Sequence, residues 1–168
     1  DREQVLHCLD NLRKNYQAVF YIDGNDEHKN YINNLGSSYS HLAKKLAKIP
    51  NVIYLQDNVV VVDGVAILGT NGWWGFDFDV GINPEESAAW YADKEGLDPA
   101  AIEEIKRMSN TDANYMISSV KRLQTHRDVK KIVMVTHTVP HPSLIEHDIA
   151  LNGTLRFNTM GNRHMQYA

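Results

Sequence analysis

The stretch Asn58-Val-Val-Val-Val62, Asp63-Gly64, Val65-Ala-Ile-Leu68 constrains the fold more than any other part of this chain. Two apolar, mostly β-branched runs separated by Asp-Gly specify a two-residue hairpin. A type I′ turn needs positive φ at both central residues, and Asp-Gly tolerates that conformation. A hairpin alone is unstable in water, so the chain must supply further strands and a cover for its apolar face. Val52-Ile-Tyr-Leu55 stands just before it and Gly69-Thr-Asn-Gly72 closes it. Ala18-Val-Phe-Tyr-Ile22 and the Ile132–Val135 centre of Lys131-Ile-Val-Met-Val-Thr136 are short and apolar, the pattern expected of strands buried on both faces.

Helical periodicity surrounds these runs. Over residues 3–16 it places Val5, Leu6, Leu9, Leu12 and Tyr16 on one face, with Cys8 beside that face and expected in the core. A second helix is predicted from Ser38 to Ile49, with Leu42, Leu46 and Ile49 inward and Pro50 ending it. Residues 84–110 read as inserted helical material broken at Pro84, Gly96 and Pro99. Asp112 is then expected to cap a further helix carrying Ala113, Met116, Ile117, Val120 and Leu123 on its core face. The order of elements predicts one α/β domain over 1–168 with a mixed sheet.

Composition removes whole classes of function. The lone cysteine, Cys8, cannot close an intrachain bridge, so a reducing, cytoplasmic setting is expected. No apolar run approaches the roughly 18–20 residues of a membrane span, and Val59 to Val62 is strand-length, so no membrane partner is expected. A net charge of −4 offers no general basic field, which makes long nucleic acid a poorer partner than a small phosphate ester or nucleotide. A Rossmann-type nucleotide site is disfavoured too, because Gly24 is the only glycine in its turn.

In open α/β sheets ligands bind at the carboxyl ends of strands, so the polar turns after Ile22 and Val135 are the candidate sites. Gly24-Asn25-Asp26-Glu27-His28 offers a close backbone approach, neutral and anionic oxygens and an imidazole. It reads either as a metal-ligand set or as a solvated turn. His137 emerges from the other strand with Pro140 and Pro142 stiffening the loop behind it. It reads either as a metal ligand or as a strand terminus, and His141 is expected to shape the loop. His7, His41, His126 and His147 are expected at the surface or in capping positions. Trp73-Trp74-Gly75-Phe76-Asp77-Phe78-Asp79 has three open readings: a stacking surface for a base, an anchor for a partner, or packing between the sheet and the inserted helices.

Gly24-Asn25-Asp26-Glu27 after one strand, and Val133-Met-Val-Thr136-His137-Thr-Val-Pro140 at the end of another, resemble the paired motifs of the metallophosphoesterases, or calcineurin-like phosphoesterases. The intervening Asn51–Leu55, Val59–Val62, Gly64–Thr70 and Trp73-Trp74 are similar to that family's meander. The resemblance implies a mixed β-sandwich flanked by helices in four αββα layers, with a dinuclear metal site at the strand ends. It implies that Asn25 and His137 are metal ligands. It implies two divalent ions, Mn first and Fe, Zn, Ni or Co as alternatives, and hydrolysis of a phosphomonoester or phosphodiester by metal-activated water. A catalytically impaired relative acting as a protein-interaction scaffold is the alternative.

The chain departs from the family in four places. Nothing in it provides the opening Asp-x-His strand. Asp1 stands about where a bridging aspartate would fall. Asp26 replaces the histidine that usually follows the asparagine, so either His28, the candidate catalytic residue, swings in toward the phosphate or the chemistry differs. Gly161-Asn162-Arg163-His164 is either a diverged Gly-His-x-His motif or the start of a helix, with Asn162 as its cap and Met165 and Ala168 on one face. With its abrupt start at Asp1-Arg2, the chain is expected to be incomplete at both ends.

Overall fold

In the computed structural model, which describes residues 2–145 and 154–168, the elements follow the alternation that the sequence predicts. They run α1 (Arg2–Leu12), β1 (Val19–Tyr21), α2 (Leu35–Leu46), β2 (Val52–Tyr54), β3 (Asn58–Val62), β4 (Val65–Thr70), α3 (Pro84–Glu95), α4 (Pro99–Gln124) and β5 (Lys131–Thr136). Short 3₁₀ turns fill the connections, at Asn25–Glu27, Lys29–Asn34, Pro142–Leu144, Phe157–Thr159 and Arg163–Tyr167. The hairpin forms as expected: Val62 lies opposite Val65, and the turn holds Asp63 at φ 50° and Gly64 at φ 80°.

Among the described residues the strands make two small sheets, so the chain is a mixed α/β protein. β1 and β2 pair in parallel, Tyr21 opposite Tyr54. The other sheet has the order β3-β4-β5, with β4 antiparallel to β3 and parallel to β5, and Thr70 opposite Thr136. The sheets meet where the Leu55 amide donates to the Tyr21 carbonyl at 2.8 Å and Gln56 forms a single parallel bridge with Gly69. No helix among the described residues is long and apolar enough to cross a membrane.

Two helix readings need correction. α1 ends at Leu12, short of residue 16, and only Leu9 of its predicted face is fully buried; Cys8 is exposed rather than in the core. Asp112 caps nothing. α4 is one continuous helix that starts at Pro99, with the Asp98 side chain accepting the Ala101 amide at 2.8 Å. Ile105, Met108, Asp112, Met116, Val120 and Leu123 recur at helical spacing along its buried face, so Asp112 lies in phase with the core.

That phase decides the packing. The lower half of α4 covers the three-stranded sheet, with Met116, Val120 and Leu123 on Ala66 and Leu68. Its upper half, with α3 and the start of α2, encloses the aromatic loop: Trp73, Trp74 and Phe76 pack against Leu35, Tyr39, Tyr91, Ile102 and Ile105. The Trp73 indole N–H donates to the Tyr39 hydroxyl at 2.6 Å, and Tyr91 meets Trp74 edge-on at 5.3 Å. Of the three readings of this loop, packing against the inserted helices is the one observed. Each ring removed from water stabilises the fold by roughly 1.5–3 kcal/mol.

Candidate metal centre at the strand ends

β1, β4 and β5 all end at one edge of the molecule, and three polar segments meet there. After β1 the chain runs through Asp23 and Gly24 into a tight turn. The Gly24 amide donates to Glu27 Oε2 at 2.7 Å and the His28 amide to the Asn25 carbonyl at 3.0 Å, which sets Asn25 at the rim. From the end of β5, 112 positions later, His137 places Nε2 3.0 Å from Asn25 Oδ1. Gly24 permits this meeting. A Cβ there would stand 2.7 Å from His137 Cε1 and 3.0 Å from each ring nitrogen, so the imidazole rests on bare backbone.

Asn71, just after β4, ties the two sides together from within. Its carbonyl accepts the His137 amide at 3.1 Å and the Thr138 amide at 3.3 Å. Its side-chain amide donates to the carbonyl and to Oδ2 of Asp23, both at 3.2 Å. Its own amide donates to Gln56 Oε1 at 2.7 Å. Gln56 Nε2 in turn donates to Asp112 Oδ1 at 3.2 Å, while Asp112 Oδ2 accepts the Gly72 and Trp73 amides at 2.8 and 3.0 Å. Burial pushes the Asp112 carboxyl up to about 7, against the pull of the donors around it. Asp23 Oδ1 and Asn71 Oδ1 are buried without a hydrogen-bond partner among the described residues. Burial, and then the charge of Asp23, push the neighbouring Tyr54 phenol above its ordinary range.

His28 stands behind this rim. It is 0% exposed, with Nε2 bonded to Asp23 Oδ2 and Nδ1 to Ser38 Oγ at 2.8 Å, while Arg2 donates to the same hydroxyl. The Tyr39 ring covers it at 4.2 Å. Both ring nitrogens are engaged, so His28 in this placement holds Asp23 and does not face a substrate. The order Asp23, His28, Ser38 is that of a nucleophilic triad, yet Ser38 is 2% exposed and no ester can reach its oxygen.

The other sequence-predicted positions fall as follows. His141 shapes its loop: Nδ1 accepts the Ser143 amide at 3.1 Å and caps the turn Pro142–Leu144. Asn162 caps a short 3₁₀ turn by accepting the His164 amide at 3.1 Å, and its buried side chain donates to the carbonyls of Trp73 and Ser109, each at 2.8 Å. Met165 is buried below it, and His164 pairs with Asp77 at 3.1 Å. Gly161–His164 thus adopts the capped-turn reading. Asp1 and His147 lie outside the described residues.

A donor separation of 3.0 Å suits two adjacent ligands of one octahedral ion bound at about 2.1 Å. The neutral amide oxygen and the imidazole also suit a borderline divalent metal. Among the described residues no group of three or more His, Cys, Asp or Glu is placed to hold a metal, so an ion at this pair would have two protein donors and would take its other ligands from water or phosphate oxygens.

Asn25 and His137 were legible as polar residues at the ends of apolar strands, although β1 and β5 are not buried on both faces as their composition predicts: no residue of either is fully buried, and Lys131 and Met134 are exposed. Asn71 obeys the same rule at the end of β4, and Asp112 sat in phase with the apolar stripe of α4, so both had a signal. Gln56 had none. Compared with known protein families, curated proteins and solved structures, the chain matches none.

Proposed function

We propose that this protein is a metal-dependent phosphoesterase acting on a small phosphate ester or nucleotide, with Asn25 and His137 as metal ligands. The observation that carries the reading is the 3.0 Å approach of Asn25 Oδ1 and His137 Nε2, from strands far apart in sequence, at the carboxyl edge of the fold. A divalent ion there would polarise phosphoryl oxygens and lower the pKa of a bound water that attacks phosphorus in line. The chain's own residues serve positioning. Gly24 lets the imidazole lie flat on the turn, Asn71 joins the two strand ends, and His28 and Ser38 hold Asp23 behind them.

The four-layer sandwich and the two-ion site belong to the same proposal. Mn is the first choice of metal, and the mixed oxygen and nitrogen donors also accept Fe, Zn, Ni or Co. The alternative, an interaction scaffold, drew on the aromatic loop. Trp73, Trp74, Phe76 and Phe78 are interior, so that loop presents no aromatic anchor.

The test is hydrolysis of bis(p-nitrophenyl) phosphate with added Mn²⁺, comparing wild type with the Asn25→Ala, His137→Ala double variant. The wild type is expected to turn over and the double variant to lose that activity. Equal rates would remove the site proposed.

A further inference from the structure

The candidate ligands belong to strand ends that make no backbone hydrogen bond to each other in either sheet, so something else must set their separation. Asn71 is the residue in contact with both, through its side chain on one side and its backbone carbonyl on the other. It is fully buried, its carbonyl receives the amides of His137 and Thr138, and its side-chain amide grips the backbone and carboxylate of Asp23, two residues before Asn25. Its conformation is fixed in turn by two groups far from the rim. Gln56 Oε1 takes its amide, and Asp112, from the middle of α4, takes the next two amides and the Gln56 side-chain amide.

We propose that Asn71 is a buried positioning residue, a clamp that sets the distance between Asn25 and His137, and that Gln56 and Asp112 hold the clamp in register. As a structural device it stands on these hydrogen bonds alone; its part in ligand geometry rests on the metal reading above. The chemistry is specific. An amide at position 71 must donate to Asp23 while its backbone carbonyl faces β5. A carboxylate there would set a second acceptor against the Asp23 carboxylate. At position 112 the ionised carboxylate, the form compared at pH 8, accepts on both oxygens. An amide there turns one donor toward either the Gly72 and Trp73 amides or Gln56, and a flip of Gln56 to meet it would deprive the Asn71 amide of its acceptor.

The experiment reads the His137 imidazole directly, in metal-free protein at pH 8, by ¹⁵N side-chain NMR. Asn25→Ala gives the reference position of the Nε2 resonance when its partner is removed. Asn71→Ala is expected to move the resonance most of the way to that position, and Asp112→Asn to move it in the same direction. Asn83→Ala removes the cap of α3, a comparable structural injury away from the rim, and is expected to leave it unmoved. If Asn71→Ala fails to fold, Asp112→Asn alone decides. A His137 resonance unchanged in the folded clamp variants, or moved equally by Asn83→Ala, overturns the proposal. A second arm measures Mn²⁺ affinity, expected to fall about 10–100-fold in Asn71→Ala, the usual loss when a supporting partner of a ligand is removed. Wild type that binds no Mn²⁺ while the NMR pattern holds would end the metal reading and leave the clamp standing.

Discussion

Gly24→Ala isolates the meeting of Asn25 and His137 with a single methyl group. Gly24 has φ −110° and ψ −179°, extended backbone that alanine adopts freely, so the substitution brings no conformational strain. The added Cβ would lie 2.7 Å from His137 Cε1, and ordinary carbon contacts begin at about 3.5 Å, so the ring must withdraw by about 0.8 Å. His137 is exposed and can rotate outward, which breaks its bond to Asn25 without disturbing the core. Loss of one neutral hydrogen bond costs about 1 kcal/mol, and replacing glycine stabilises by about 0.4–1 kcal/mol through the unfolded chain. The melting temperature is therefore expected within about 4 °C of wild type. If Asn25 and His137 share one ion as proposed, Mn²⁺ affinity is expected to fall at least about tenfold. Thermal melts and isothermal titration on the same preparations measure both quantities. Unchanged Mn²⁺ affinity, with the His137 resonance where it was, would refute the reasoning. So would a collapse in stability of more than about 10 °C, which would make the ring a packing element.

Three further outcomes follow from the same geometry. Asp112 titrates near 7 when folded against an ordinary value of 3.8, so between these pH values the folded state keeps a proton that the unfolded chain has lost. Stability is therefore fully present at low pH and declines as pH rises through that window, by as much as about 4 kcal/mol. Urea unfolding at pH 5 and 8 should show this slope in wild type and a flatter one in Asp112→Asn; parallel slopes would contradict it. His28→Ala strands the buried Asp23 carboxylate and is expected to cost about 3–5 kcal/mol in urea unfolding, whereas a loss under about 1 kcal/mol would mean that the contact is dispensable. Gly64→Ala forces a side chain into φ 80° and is expected to destabilise by about 1–2 kcal/mol, seen as a lower urea midpoint with an unchanged slope; an unchanged midpoint would show that the turn relaxes freely.

Features set by neighbours in sequence were readable before any coordinates. The Asp63-Gly64 turn, β5 with His137 at its end, and Asn25 beyond β1 depend on local pattern alone, and the structure places each as expected. Features set by what folds over them were not. The aromatic loop kept three readings open, because nothing local decides whether α3 and α4 close on it. Cys8 looked internal because its helix is amphipathic, yet that helix buries little more than Leu9 against Leu42 and Leu46. Asp112 looked like a cap because acids favour helix starts. Its true role, receiving two backbone amides from a loop forty positions away, exists only once α4 lies along β4. His28 was legible as chemistry but not as placement, since only the fold shows Asp23 and Ser38 on either side of it.

The central claim is that Asn25 and His137 share a divalent ion, and electron paramagnetic resonance of Mn²⁺ tests it most directly. Titrated with the wild-type protein, the six-line signal of free Mn²⁺ is predicted to disappear in proportion to the protein added. With the Asn25→Ala, His137→Ala variant it is predicted to persist. A signal that behaves identically with both proteins would contradict the account.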